Sequence, residues 1–209
     1  LSLNGFEEKR IHCIPTFTAS KTTIGEQQIG SYGLYFGRVT EEKGVETVIK
    51  AYEKLPEYTV KIMGDDTTDE AKRLKKYVEN HKMKNVEFLG FKSGEELENV
   101  IKGARFTLIP SIWYDNLPNT ALESFQYSKP VIASNIGSLP ELVIDGENGY
   151  LFKPSNVEDL IKKIKMLDDD TLVKKMGQAS RKRLESRFAP QTHYEELMKI
   201  FNEAVKSRK

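Results

Sequence analysis

The 209-residue chain is 38% hydrophobic and 30% charged, carries a net charge of +1 and holds a single cysteine. Its length supports one sizeable core and a single domain, and its balanced charge excludes bulk electrostatic binding of nucleic acid or anionic membrane. One thiol excludes an internal disulfide framework and favours a reducing compartment.

No apolar run reaches the length of a membrane-spanning helix, and no basic-apolar-small secretion signal opens the sequence. The chain begins at Leu1 rather than Met, so an excised piece or a processed product is expected. Residues 1–31 read as a short strand followed by a linker. Cys13 lies in the apolar run Ile11-His12-Cys13-Ile14 and is expected to be a buried strand thiol. The polar stretch from Thr16 to Ser31 is the linker, and residues 32–209 form the domain.

Within that domain, strands are expected at 34–36, 59–63, 86–88, 106–109, 131–133 and 149–151. Several are short continuous apolar runs, as in strands covered on both faces. Helices are expected at 45–55, 69–81, 95–102, 119–127 and 157–167. The first shows the stripe Val45, Val48, Ile49, Tyr52 and Leu55. Two more, 171–186 and 191–206, follow without a strand and are separated at Ala189-Pro190, because proline disfavours helix at the residue before it. The last carries Tyr194, Leu197, Met198, Phe201 and Val205 at helical spacing, a face that either packs on this domain or meets another. Alternation of strand and helix predicts an α/β fold, a doubly wound parallel sheet of Rossmann-like type.

Ligands of such sheets bind outside the carboxyl ends of the strands, so the strand-to-helix turns hold the candidates. After the first strand, Gly37 permits close approach, Arg38 can grip phosphate bidentately and Lys43 adds a point charge. After the third, Gly90 and Phe91 offer backbone donors to a nucleobase. After the fourth, Pro118 suits the start of a helix whose first amides, from Leu117 through Asn119 and Thr120, can hold a diphosphate. Glu123 follows Asp115 by eight positions; one carboxylate can accept both ribose hydroxyls while the other faces a sugar. Both also fit plainer roles, Asp115 starting a turn and Glu123 on a wet helix face. Trp113, the only tryptophan, is read as core filler. After the fifth strand, a small-residue loop around Gly137 either shapes a phosphate or sugar pocket or is a tight connection. His12, His81 and His193 lack paired-ligand spacing, so no metal site is expected. P-loop, GxGxxG and GxSxG patterns are absent.

Six segments stand in register: Gly37-Arg38 with Lys43-Gly44; Asn85-Val86-Glu87-Phe88-Leu89-Gly90; Pro110-Ser111; Leu122-Glu123; Pro130-Val131-Ile132-Ala133-Ser134; and Glu141 with Asp145-Gly146 and Gly149. In this order and spacing they resemble the C-terminal domain of glycosyltransferase family four, a retaining group of GT-B fold, over about residues 30–205. The resemblance implies two Rossmann-like domains with donor and acceptor in the cleft between them, this chain supplying the donor half.

The implied donor is a UDP-, GDP- or ADP-sugar, with no cofactor, and the acceptor a glycan, glycolipid or small molecule. Arg38 and Lys43 would neutralise the diphosphate, and Asp115 would lie at the transferred sugar; these three are the catalytic candidates. Gly37, Gly90, Phe91, Asn116, Leu117, Pro118, Asn119 and Thr120 would complete nucleotide-sugar binding, with Glu123 on the ribose. Two departures stand out: Asp replaces the commoner Glu at 115, and Leu117-Pro118-Asn119 replaces a glycine-containing stretch.

The resemblance further implies a hexosyltransferase of surface polysaccharide or glycolipid assembly. It would be cytoplasmic, or peripheral at the inner membrane face through its N-terminal domain, which would also supply the acceptor site. This chain alone would be inactive. Two other readings remain, a non-catalytic sugar-nucleotide-binding module and a sugar-nucleotide epimerase of GT-B fold.

Overall fold

The computed structural model describes residues 4–18 and 27–206. Six parallel strands form one sheet: β1 (Tyr32–Phe36), β2 (Thr59–Met63), β3 (Val86–Gly90), β4 (Ala104–Ile109), β5 (Val131–Ser134) and β6 (Gly149–Phe152), in the order β3-β2-β1-β4-β5-β6. Between them run α1 (Val45–Glu53), α2 (Asp69–Asn80), α3 (Gly94–Lys102), α4 (Asn119–Gln126) and the single turn α5 (Leu139–Leu142); α6 (Val157–Met166), α7 (Asp170–Arg187) and α8 (Pro190–Lys206) follow β6. The expected Rossmann-like sheet forms, and its order reverses between β1 and β4. Strand ends on either side of that reversal open a crevice where ligands of such sheets bind.

Both faces of the sheet are covered, which is why the strands read as unbroken apolar runs. Tyr35 packs into a core with Val48, Ile49 and Tyr52 of α1 and Leu160 and Ile164 of α6. Its neighbours Leu34 and Phe36 pack on the other side with Ile101 and Tyr127. Ile109, Val131 and Ala133 meet Ala121, Leu122 and Phe125 of α4 and Leu184 of α7. This last cluster fixes where α4 begins, and so where its first amides lie.

β4 starts two residues earlier than its apolar run suggests. Arg105 hides the extension: its guanidinium reaches the end of α6, donating to the carbonyls of Leu167 and Asp168 (2.6 Å each) and pairing with Asp170 at 2.6 Å. A cation there satisfies carbonyls that a helix end leaves free. At the same edge of the sheet lies Lys129, 1% exposed. Its ammonium donates to the carbonyls of Gln28, Lys102 and Ala104 at 2.6–2.7 Å. Burial pulls it down to about 8.

The amino-terminal expectation is corrected. No strand forms among residues 4–18, which hold the 3-10 turn Glu8–Arg10. Cys13 is exposed rather than a buried strand thiol. A four-residue apolar run without a pairing strand has no ladder to join, and this one lies against the carboxyl-terminal helices instead. The Thr18 amide donates to the Phe188 carbonyl (3.1 Å), and His193 Nδ1 lies 2.9 Å from the Pro15 carbonyl. The middle of the expected linker, residues 19–26, lies outside the described residues. α8 buries none of its residues; Tyr194, Phe201 and Val205 are more than half exposed. Its apolar face therefore does not fill this domain's core.

Candidate functional site

The loops after β1 and β4 build the crevice. The Gly37 amide donates to Met63 (3.0 Å) and the Gly64 amide to Gly90 (3.0 Å), which stitches the ends of β1, β2 and β3 together. Gly37 has φ 142°, and a Cβ on Gly64 would stand 1.9 Å from the Gly37 oxygen. A side chain has no room at Gly64, and at Gly37 the positive φ disfavours one. Arg38 follows, exposed and without a side-chain hydrogen bond or ion pair among the described residues. Its carbonyl accepts the Tyr35 hydroxyl. Burial raises the Tyr35 phenol far above its ordinary range, Asp115 and Glu42 add to this and Arg38 opposes it, so the phenol stays a neutral donor. A 3-10 turn, Glu41–Lys43, then ends at Gly44 (φ 66°), where α1 begins.

The second loop is tied to the first. The Ile112 amide donates to the Glu42 carbonyl at 3.0 Å. Lys43 Nζ reaches Asp115 Oδ1 at 2.5 Å, both side chains being less than one-fifth exposed. The buried Ser111 hydroxyl donates to Asp115 Oδ2 at 2.5 Å. The third loop supports the same residue: the Ser138 hydroxyl and amide donate to the Asp115 carbonyl at 3.0 and 3.4 Å. Thus the loop around Gly137 acts here as a buttress for Asp115. Trp113 is 65% exposed and does not fill core, contrary to expectation. Its neighbour Tyr114 is 74% exposed, because the loop is spent on reaching Glu42 and Ser138 and leaves its aromatic side chains outward.

Pro118 stands just before α4, one position earlier than the first helical residue, and no side chain caps the helix start. Its initial amides therefore face the crevice with the partial positive charge of a helix N-terminus. Thr120 and Glu123, three apart, share the face of α4 that lines the crevice, while Ala121, Leu122 and Phe125 are buried on the other. Burial raises the Glu123 carboxyl above its ordinary value, and it makes no hydrogen bond or ion pair among the described residues. A half-buried carboxylate with unsatisfied lone pairs is an acceptor for incoming hydroxyls.

Two adjoining hollows share Phe36, Gly37, Arg38 and Thr120. The larger, about 630 Å³, holds Glu123 and is walled mainly by apolar side chains, Met63, Phe91 and Leu97 among them. The smaller, about 180 Å³, holds Lys43, Ser111, Asp115, Pro118 and Asn119. The predicted residues Gly37, Arg38, Lys43, Asp115, Pro118, Asn119, Thr120, Glu123 and Phe91 are therefore brought together, and Gly90 sits beside them at the end of β3. Asn116 and Leu117 are not: they line a separate hollow of about 570 Å³ with Cys13, Ser138, Glu141, Arg183 and Arg187. Tyr35 and Ser111 were missed as lining residues; Lys92, next to Gly90 and Phe91 in the turn expected to read a base, lines the larger hollow as they do. Ser111 stood directly after a strand and Pro110, a position that the same strand-end reasoning covers.

An apolar hollow with room for a base, a carboxylate for vicinal hydroxyls, helix-end amides and two cations can hold a nucleoside diphosphate. Residues 23–183 match the family model "Glycosyl transferases group 1". An uncharacterized glycosyltransferase of Methanocaldococcus jannaschii is 32% identical over 149 residues, 71% of this chain and 41% of the relative. Among solved structures, sucrose-phosphate synthase of Thermosynechococcus elongatus superposes over 93% of this chain and 52% of its own (TM-score 0.80, 23% identity). Anabaena HepE in complex with UDP does so over 83% and 49% (TM-score 0.76, 22% identity). The chain thus spans about half the length of these proteins or less. It belongs to the group 1 glycosyl transferases and carries the Rossmann-like C-terminal domain of a GT-B glycosyltransferase.

Proposed function

We propose that this chain binds the nucleotide-sugar donor of a retaining hexosyltransferase, whose other half supplies the acceptor site. The observation that carries this reading is the unpartnered Glu123 carboxylate in an apolar hollow, continuous with a groove bearing Arg38, Lys43 and the start of α4. The base occupies the larger hollow beside Gly90 and Phe91. Glu123 accepts the ribose 2′- and 3′-hydroxyls. The diphosphate lies across Gly37 at the amides of Asn119 and Thr120, between Arg38 and Lys43, and its sugar extends toward Asp115.

As the sugar-oxygen bond breaks, negative charge accumulates on the leaving diphosphate. Two cations and oriented amides in a partly dehydrated groove stabilise that charge more than they stabilise the bound donor, and this difference lowers the barrier. The acceptor is a glycan, a glycolipid or a small molecule, reached in the cytoplasm or at the inner membrane face. Among the described residues no helix is long and apolar enough to cross a membrane. The apolar face of α8 and the exposed Trp113 and Tyr114 are surfaces on which the partner half packs. Alone, the chain binds donor and transfers nothing. UDP in the HepE complex supports a nucleoside diphosphate as ligand.

Titration calorimetry with UDP, GDP and ADP tests this reading. One of them is expected to bind, and Lys43→Met should weaken the diphosphate at least about tenfold while leaving the parent nucleoside unchanged, as loss of a charge-assisted contact requires. Absence of binding by all three to the folded chain would overturn the donor assignment in favour of a non-donor role.

A further inference from the structure

We infer that Asp115 distinguishes a nucleotide sugar from the free nucleoside diphosphate left after transfer; the inference rests on the donor reading above. Asp115 is the acidic side chain of the 180 Å³ groove, and it is held there from three sides. Lys43 takes one carboxylate oxygen and buried Ser111 the other. Its own carbonyl is held by Ser138, and Ile112, three residues before it, is tied to Glu42. Ser111 and the Ser138-held backbone keep the carboxylate in the groove even when an anion draws Lys43 away.

Any phosphate that reaches Lys43 meets this fixed negative charge beside it. Two ligands then fare differently. A sugar diphosphate has its terminal phosphate esterified, and the attached sugar brings hydroxyl donors that the carboxylate can accept once the anion draws Lys43 away. The free diphosphate carries about one additional negative charge at neutral pH, concentrated on the terminal phosphate, and brings no donor in place of the sugar. At the short distances of this groove, like charges repel and are only partly screened. Asp115 thus weakens retention of the product and spares the substrate.

Calorimetric titration of the 209-residue chain with matched pairs, UDP and UDP-glucose, GDP and GDP-mannose, ADP and ADP-glucose, tests the inference. Asp115→Asn is expected to tighten the free diphosphate roughly fivefold, as for one part-exposed charge contact, and to leave the matching sugar nucleotide unchanged or weaker. Asp115→Glu keeps the charge and should keep the wild-type ratio. Thermal melts check that both variants fold. Equal change in both members of a pair would mark Asp115 as a mere loop support and overturn the inference while the donor reading stands. Failure of every diphosphate to bind the wild type would remove both. A weaker free diphosphate in Asp115→Asn would likewise overturn it.

Discussion

Glu123 shows how one side chain reports on ligand chemistry. Its carboxyl is raised by burial alone, without compensating donors among the described residues, so folding is disfavoured once the group ionises. The linked stability is full below the carboxyl's unfolded value and is lost as pH rises through the higher folded one. Glu123→Gln removes that loss. At pH 7 its melting temperature is expected to equal or exceed that of the wild type, while affinity for the bound nucleoside diphosphate falls about tenfold or more. For the wild type, affinity should also fall as pH drops into the raised range, because a protonated carboxyl accepts fewer bonds; the glutamine variant should lack this component. Calorimetry across pH on both proteins checks the pair, and a glutamine variant that binds as well as the wild type would remove Glu123 from the site. Lys129 is the opposite case. It is a buried cation with no carboxylate partner among the described residues, held by three carbonyls, and it lies at the other end of the sheet from the crevice.

At the scale of elements, the site depends on strand ends being locked to helix starts. β4 and α4 meet at the buried Thr107 hydroxyl, which donates to Ser124 at 2.8 Å, and Ser124 donates to the Thr120 carbonyl. Phe125, fully buried, fills the space below. Phe125→Ala is expected to destabilise the fold by about 3–5 kcal/mol, as measured by denaturant unfolding. Nucleotide binding should be lost with it, because the start of α4 would no longer be placed. The loops after β1 and β4 are joined by the Ile112–Glu42 bond and the Lys43–Asp115 pair, so two segments about seventy positions apart act as one wall. Sequence spacing alone could name Lys43 and Asp115 but could not show that each is the other's partner.

At the scale of the whole chain, α8 is the feature with the least internal purpose. It meets α7 through the Arg187–Glu196 ion pair and leaves Tyr194, Phe201 and Val205 exposed. Phe201→Asp is therefore expected to change the stability of this chain by no more than about 0.5 kcal/mol, read from thermal melts. On the proposed function, the same change in the full enzyme with its acceptor half should lower transfer without altering nucleotide affinity. A large loss of stability in the isolated chain would instead show that α8 serves this domain.

Periodicity and composition by themselves determined the α/β class, the existence of the six strands and of every helix longer than the single turn α5, the turn that carries Gly37, Arg38 and Lys43 and the helix that carries Glu123, because a strand buried on both faces and an amphipathic helix each write their period locally. Side-chain direction is not written locally. Only the tertiary structure decided that Cys13 and Trp113 lie outside the core, that Asn116 and Leu117 turn into a different hollow, and that Asp115 answers Lys43. Each of those outcomes is set by contacts between segments far apart in sequence, and the energy that selects them exists only once the sheet has brought the loops to one rim.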